Sequence, residues 1–370
     1  MRIAIDARKL HDYGIGTYVR NVLRFLGRID AENEYILLCR PADCDVVRSF
    51  GDNFRSVAEP SANYSIAEQI RLPGTLKKAG ADVFHAPHYV LPPFLPCPSV
   101  VTIHDCIHLV FPQYLPNKFA HFYARTFMTL AARRSARILT VSEASKRDIL
   151  HFFHVPASKV EVVYNALDPA FDNPPEADDV VRVRQRFQLN DPFLLYAGNI
   201  KPHKNVDRVI EAFARLKKRG FENLKLVIIG DEISKYPQLR RAVHRHQLHK
   251  HVRFLGFVPD ATLAILYRLA DVFVFPSLYE GFGLPPLEAM ASGTPVVTSN
   301  VSSLPEVVGD AALLVDPHDA EAIAAATERI LTDGPLRRSL VQKGLARAHD
   351  FSWERSVRRI RDVYLEVGAK

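Results

Sequence analysis

No stretch of this 370-residue chain supplies the ~20 consecutive apolar residues that a membrane-spanning helix needs. Its longest apolar runs, around 224–229 and 272–276, are far shorter, so no transmembrane helix is expected. Cysteine is scarce. Cys39, Cys44, Cys97 and Cys106 contain no CxxC pair, which argues against a zinc knuckle and a disulfide framework and leaves ordinary reduced thiols. Gly/Ser-rich and single-letter tracts are missing, and the 25 prolines are scattered, so disorder is a minor theme. A zinc-finger spacing, an aromatic RNP-like strand and a basic tail are also missing, and no nucleic-acid partner is expected. Within Met1-Arg2-Ile3-Ala4-Ile5-Asp6 an acid interrupts what would have to be the apolar core of an export signal, so the expected location is the cytoplasm.

What is present is a globular profile: 48% hydrophobic and 24% charged residues, in a length sufficient for two cores. The formal charge of +7 favours anionic partners such as nucleotide phosphates or acidic lipid headgroups. Short β-branched runs alternate with segments of helical period, the pattern of parallel sheets built from βαβ units. In the first half the expected strands are 2–6, 35–39, 82–85, 99–103, 138–141 and 160–163, with helices over 16–26, 66–79 and 118–134. A proline-rich, acidic stretch within 167–191 reads as a linker plus one helix. The pattern then restarts, with strands at 193–197, 225–229, 253–256, 272–275 and 295–298. Helices are expected over 205–219, 261–269 and 284–291, and three more from Asp319 onward.

One segment carries most of the functional information. The buried strand Asp271-Val272-Phe273-Val274-Phe275 runs into Tyr279-Glu280-Gly281-Phe282-Gly283-Leu284-Pro285-Pro286-Leu287-Glu288, a strand, a glycine loop and a helix in succession. Gly281 and Gly283 let the backbone approach a ligand or take φ > 0, and a proline suits the first helical turn. Free N–H groups of the loop and the positive end of the helix form an anion site at the carboxyl edge of the sheet. Glu280 can accept from sugar hydroxyls and Glu288 from a vicinal diol such as a ribose, with a phosphate between them on backbone amides. The plain alternative is an exposed Glu280 and a Glu288 that merely favours an early helical position.

With Glu288-Ala289-Met290-Ala291-Ser292-Gly293-Thr294-Pro295 following, this segment resembles the donor motif of the retaining glycosyltransferases of family 4. The resemblance covers nearly the whole chain. It implies the GT-B fold: an α/β chain of two Rossmann-like, doubly wound parallel-sheet domains with an interdomain cleft and a C-terminal helix that crosses back to the first domain. Expected boundaries are 1–168 for an acceptor-binding domain, 169–190 for linker and helix, 191–351 for a nucleotide-sugar-binding domain and 352–370 for the returning helix. Glu280 is then implied to touch the transferred sugar, Glu288 the ribose, and the amides around Gly283 and Leu284 the sugar and diphosphate.

Further segments fit the same resemblance. Asn199-Ile200-Lys201-Pro202-His203-Lys204 follows a strand and opens a helix, where Lys204 can neutralise a diphosphate as a compact charge. The family often has arginine where Asn199 stands, so Lys201 is the residue expected to supply a second charge. Gly14-Ile15-Gly16 imitates a GxGxxG start, but Val19 replaces the third glycine, which weakens a nicotinamide reading. By resemblance Gly14 and Gly16 lie over the diphosphate, a plain tight turn being the alternative, His104 borders the sugar near its C6 hydroxyl, and Asp105 stands beside the acceptor or orients the loop. Adjacent on an extended chain, His104 and Asp105 point apart and do not read as metal ligands. Ser142 reads as a helix cap. Phe257 and Val258 match the segment whose backbone meets the nucleotide base. Tyr123, Phe127 and Met128 among Lys118, Arg125, Arg133 and Arg134 could give a basic amphipathic face for a peripheral membrane contact, although a helix with one apolar stripe usually packs on its sheet.

Glu280, His104 and Lys204 are the expected catalytic residues. No cofactor and no metal are expected, the nucleoside-diphosphate sugar serving as co-substrate. The expected donor is GDP-mannose, with a UDP-hexose such as UDP-glucose as runner-up. The acceptor is a saccharide or lipid-linked saccharide of polysaccharide synthesis. A sugar-nucleotide epimerase and a nicotinamide oxidoreductase are the readings from other classes.

Overall fold

The computed structural model describes residues 1–12, 14–171, 174–230 and 235–369. They form two compact units, Met1–Ala166 with Ser352–Lys370, and Leu167–Phe351.

In the first unit β1 (Arg2–Asp6), β2 (Glu34–Cys39), β3 (Phe54–Ala58), β4 (Val83–Ala86), β5 (Ser99–Thr102), β6 (Arg137–Thr140) and β7 (Val160–Val162) make one parallel sheet. Its order is β3-β2-β1-β4-β5-β6-β7. Ile3, Ala4 and Ile5 in β1 and Ile36, Leu37 and Leu38 in β2 are buried as unbroken runs, because helices cover both faces of the sheet. Strand order reverses between β1 and β4, so the loops leaving their carboxyl ends part and open a crevice at that edge. Leu72 and Leu76 of the helix Ile66–Ala79, Met128 of the helix Lys118–Arg134 and Ile149 of the helix Glu143–Phe153 share a core with Phe84 and Ile138.

The last helix, Trp353–Gly368, belongs to this first unit. Ser352 caps it, and Trp353, Val357, Ile360, Val363, Tyr364 and Val367 form its buried face, packed on the helix Ile15–Ile29. Arg359 bridges Glu161 and Glu366 beside it.

The second unit has β8 (Phe193–Ala197), β9 (Lys225–Ile229), β10 (Val252–Gly256), β11 (Val272–Phe275), β12 (Val296–Ser299) and β13 (Ala312–Val315), all parallel. Their order, β10-β9-β8-β11-β12-β13, places the reversal between β8 and β11. The stretch after Leu167 packs with this unit: the turn Pro169–Phe171 and the helix Ala177–Arg186 lie against the helix Asp260–Leu269, with the Phe171 ring 6.1 Å from that of Tyr267.

Two strands lie outside the expected set. β3 is an edge strand in which Phe54 is buried while Arg55 and Ala58 face solvent. Its Phe-Arg-Ser-Val-Ala has too little apolar content to announce itself. β13 is Ala-Leu-Leu-Val, a run that reads equally well as helix.

Trp353 is the single tryptophan of the chain and is 3% exposed, so its fluorescence reports the first unit. Ile360→Ala removes a fully buried side chain from the same helix. The substitution is expected to destabilise that unit by about 2–5 kcal/mol and to lower the urea midpoint read at Trp353. An unchanged midpoint would show that the helix adds nothing to this core.

Candidate active site

At the carboxyl edge of the second sheet, β11 hands the chain to a loop held on both sides by polar contacts. The buried Ser277 hydroxyl lies 3.1 Å from the His203 carbonyl and 3.2 Å from that of Tyr279, and Leu278 N donates to the same His203 carbonyl. Asn205 donates to the carbonyls of Pro276 and Pro317. The β8 loop and the β11 loop are thereby sewn together. At their junction Lys204 Nζ stands 2.6 and 2.7 Å from the two oxygens of Glu280, and their side chains are only 13% and 10% exposed. Two of the expected site residues, 76 positions apart in sequence, thus form one ion pair. Lys204 ends the short turn Pro202–Lys204, and the helix itself begins at Val206 after Asn205 with φ 61°.

Gly283 follows with φ 119° and caps the helix Leu284–Ala291, whose first turn carries the prolines. A Cβ at Gly283 would also stand 2.9 Å from Leu304. Glu288, one turn into this helix, accepts a 3.0 Å hydrogen bond from the Tyr267 hydroxyl. Burial pushes its carboxyl up to about 7, and the nearby Asp260 and Asp168 add to the rise against the lowering effect of Tyr267. Near neutral pH this group is poised between its two protonation states.

The remaining donor-side residues divide by what they expose. Phe282 is buried, with its ring edge-on to Phe351 at 5.4 Å, so only its backbone is left for a ligand. Gly281 and Leu284 are half-buried. The Asn199 side-chain oxygen is buried without a hydrogen-bond partner among the described residues, and its carbonyl accepts from the Tyr196 hydroxyl. Lys201 is exposed, as is Phe257 at 70%, whereas Val258 is buried. Sequence reasoning missed Ser302 and Ser303. Ser302 donates to the Glu280 carbonyl at 2.7 Å and accepts from Glu280 N at 3.2 Å, and the Ser303 hydroxyl lies 2.9 and 2.5 Å from the carbonyls of Glu280 and Phe282. A serine pair between a strand and Leu304-Pro305-Glu306 was the available signal. Tyr267 was missed as well, since a tyrosine on an apolar helix face reads as core.

In the first unit Gly14 caps the helix Ile15–Ile29 with φ 66°, and a Cβ at Gly16 would strike the Leu10 carbonyl at 2.5 Å. His104 follows β5; its Nε2 lies 3.0 Å from the Pro87 carbonyl, and its own carbonyl accepts from Ser145. Asp105 accepts from Ile107 N at 2.9 Å, a bond that shapes its own loop. Ser142 caps its helix by accepting from Ser145 N.

An ionic cluster at the end of β1 was not foreseen. Arg8 donates to Asp6 at 2.6 Å and to Glu68 at 2.5 Å, and His88 Nε2 lies 3.2 Å from Asp6, all with side chains about 1% exposed. Asp6, Glu68 and His88 have the spacing of a metal triad, but the guanidinium of Arg8 lies between the two carboxylates and already donates to both. Burial would raise the Asp6 carboxyl, yet bonds from Arg8 and His88 hold it well below the usual carboxylate range.

Comparison with known proteins agrees with this architecture. Residues 13–171 match the family described as Glycosyltransferase Family 4, and residues 178–347 match Glycosyl transferases group 1. O-antigen chain mannosyltransferase B of Escherichia coli is 37% identical over 273 residues, 74% of this chain and 71% of that protein. The serotype-specific mannosyltransferase WbdA of E. coli is 32% identical over 270 residues, which is 70% of this chain but only 32% of that longer protein. Among solved structures, Anabaena HepE in complex with UDP-glucose superposes with TM-score 0.80 at 18% identity, covering 99% of this chain and all of that one. Sucrose-phosphate synthase from Thermosynechococcus elongatus gives 0.79 at 22% identity, covering 100% of this chain and 99% of the other. The chain therefore has the GT-B fold and belongs to family 4 of the glycosyltransferases.

Proposed function

We propose that this enzyme transfers mannose from GDP-mannose, with retention and without a metal ion, to a saccharide or lipid-linked saccharide acceptor in polysaccharide synthesis. The Lys204–Glu280 pair at the Gly283 turn is the observation that carries the reading. An incoming diphosphate is an alternative partner for the Lys204 ammonium, and once Lys204 turns to it, both oxygens of Glu280 are released to accept from sugar hydroxyls. Amides at Gly283 and Leu284, at the start of an aligned helix, add donors for the leaving group. Phe257 offers an exposed aromatic face to the base, and Glu288 accepts from the ribose diol. His104 borders the sugar, and Asp105 orders the acceptor-side loop. In the reaction the bond from anomeric carbon to phosphate oxygen breaks, the acceptor oxygen bonds to the same face, and its proton passes to the departing phosphate. The mannosyl assignment is supported by the E. coli O-antigen mannosyltransferase relative at 37% identity.

A peripheral membrane contact belongs to the same reading, although the face differs from the expected one. Met128 is buried and Tyr123 and Phe127 are half-buried, because that stripe of the helix Lys118–Arg134 packs inward. Phe119 at 75% and Phe122 at 65% exposure are its outward aromatics. The neighbouring helix Ile66–Ala79 exposes Ile66 and Ile70, and a Tyr123-to-Tyr64 hydrogen bond ties the starts of the two helices. Lys118, Arg125 and Arg71 on the same two helices are also exposed, a combination suited to an anionic lipid surface. Among the described residues no helix is long and apolar enough to cross a membrane.

A thermal-shift panel of GDP, UDP, GDP-mannose and UDP-glucose, run with and without chelator, tests the donor. Stabilisation by GDP and GDP-mannose, undiminished by chelator, is expected; preference for UDP-glucose would overturn the mannosyl assignment. Glu280→Ala is expected to lose transfer by roughly 100-fold or more while GDP affinity holds or rises, since Lys204 then has no competing partner. Glu288→Ala is expected to weaken GDP binding, and equal binding losses in both variants would contradict this division.

The pH dependence has a defined sign. Ribose hydroxyls donate to the ionised Glu288, and its carboxyl titrates at about 7, so GDP affinity is expected to rise between pH 6 and 8 as the proton leaves. Glu288→Gln should flatten that part of the profile in isothermal titration; an identical slope in the variant would assign it to another group. For the surface, cosedimentation with vesicles of anionic phospholipid is expected to fall at least ~10-fold in Phe119→Ser/Phe122→Ser, with activity on a soluble acceptor retained. Undiminished cosedimentation would remove that face from the reading.

A further inference from the structure

His104 carries a lone pair whose orientation is unusually well fixed. A carbonyl oxygen only accepts, so the 3.0 Å contact with Pro87 puts the ring proton on Nε2. Burial disfavours the imidazolium and outweighs the opposing influence of the Pro87 carbonyl and Asp105. Nδ1 is left as a hydrogen-bond acceptor, and no group among the described residues donates to it.

Tyr18, one turn into the helix that Gly14 caps, presses its ring edge-on against His104 at 4.9 Å and 86°. It is 3% exposed and has little room to move. Trp353 flanks it at 6.0 Å, and its hydroxyl lies 3.2 Å from Thr102 Oγ1. The Thr102 oxygen in turn lies 2.8 Å from His85 Nε2, and His85 Nδ1 lies 2.6 Å from the Tyr364 hydroxyl of the last helix. Burial pushes His85 down to about 3, so its ring is neutral and supplies one donor and one acceptor to this line. The chain of bonds can run in either direction, and both directions satisfy every link.

Four fully or almost fully buried polar side chains thus end on one ring, and that ring abuts His104. Apolar residues would fill the same space without the cost of desolvating four polar groups. We propose that Tyr18 is a positioning residue, holding the His104 ring in the orientation in which the Pro87 carbonyl keeps the proton on Nε2 and Nδ1 is left to accept from a hydroxyl of the transferred sugar. This rests on the reading that His104 meets the donor.

Steady-state kinetics with GDP-mannose and UDP-glucose, for Tyr18→Leu, Tyr18→Phe, Thr102→Val and His104→Ala, test it. Tyr18→Leu is expected to lower kcat by roughly 10–100-fold with the donor KM within about twofold, because a displaced group loses transition-state rather than ground-state contact. Tyr18→Phe keeps the ring and is expected to recover kcat to within about threefold of the wild type. Thr102→Val frees the Tyr18 hydroxyl with little change of volume and is expected to lower kcat in the same direction, by less. Nitrogen NMR of histidine-labelled protein should show His104 as one neutral tautomer in the wild type and as a mixture in Tyr18→Leu. Trp353 fluorescence and the nucleotide thermal shift check that both units remain folded.

Wild-type kcat and an unmixed tautomer in both Tyr18→Leu and Thr102→Val would overturn the inference. If those two are normal while His104→Ala is inactive, only the role of Tyr18 falls. A fully active His104→Ala would remove the role of His104 itself.

Discussion

Lys204 and Glu280 are almost out of water, and at that depth neither charge is tolerated alone. Removing one partner of a buried pair leaves the other uncompensated, at a cost of about 3–5 kcal/mol. The loops around them are built accordingly. Ser277 and Asn205 fasten the β8 and β11 loops to one another, and Ser302 and Ser303 grip the backbone of Glu280 on its far side. Such a pair can be separated only when something else takes up the charge. In the proposed reaction an anionic leaving group would do that for Lys204 and sugar hydroxyls for Glu280.

The first unit meets the same difficulty with a permanent cation. Arg8 lies between Asp6 and Glu68 with almost no exposure, and a guanidinium stays charged at any pH the protein meets. Glu68 also accepts from Tyr64 N, so the stretch 61–68 is tied through Arg8 to the end of β1. In the first unit the edge loops are therefore held by a guanidinium shared between two carboxylates, and in the second by a single ammonium–carboxylate pair.

The two parallel sheets and most element boundaries were legible because fully buried parallel strands leave continuous apolar runs, as in Phe193–Ala197 or Val272–Phe275. β3 escaped notice because an edge strand with one wet face keeps its polar residues, and β13 because Ala-Leu-Leu-Val carries no period that separates strand from helix. Among the candidate site residues, Lys204, Glu280 and Glu288 were singled out by chemical type and by position relative to a strand end. Their relations were not. That Lys204 and Glu280 face one another depends on β8 and β11 being neighbours in the sheet, which no local pattern states. The protonation state of Glu288 depends on Tyr267, Asp260 and Asp168, residues that arrive from other elements. The inward turn of Met128 and the outward turn of Phe119 and Phe122 likewise follow from which side of the helix the sheet occupies.

The glycines show how far a motif can be trusted. Gly16 is required because a Cβ there would collide with the Leu10 carbonyl, a reason internal to the turn. Gly283 is required by φ 119° and by the closeness of Leu304, again without reference to any ligand. A glycine pattern alone therefore fits a tight turn as well as a phosphate cradle. What separates the two is the company it keeps. At Gly283 the turn stands at a helix start three residues after Glu280, which among the described residues is the charge partner of the nearly buried Lys204 ammonium, and a turn needed for folding alone would have no use for that pair.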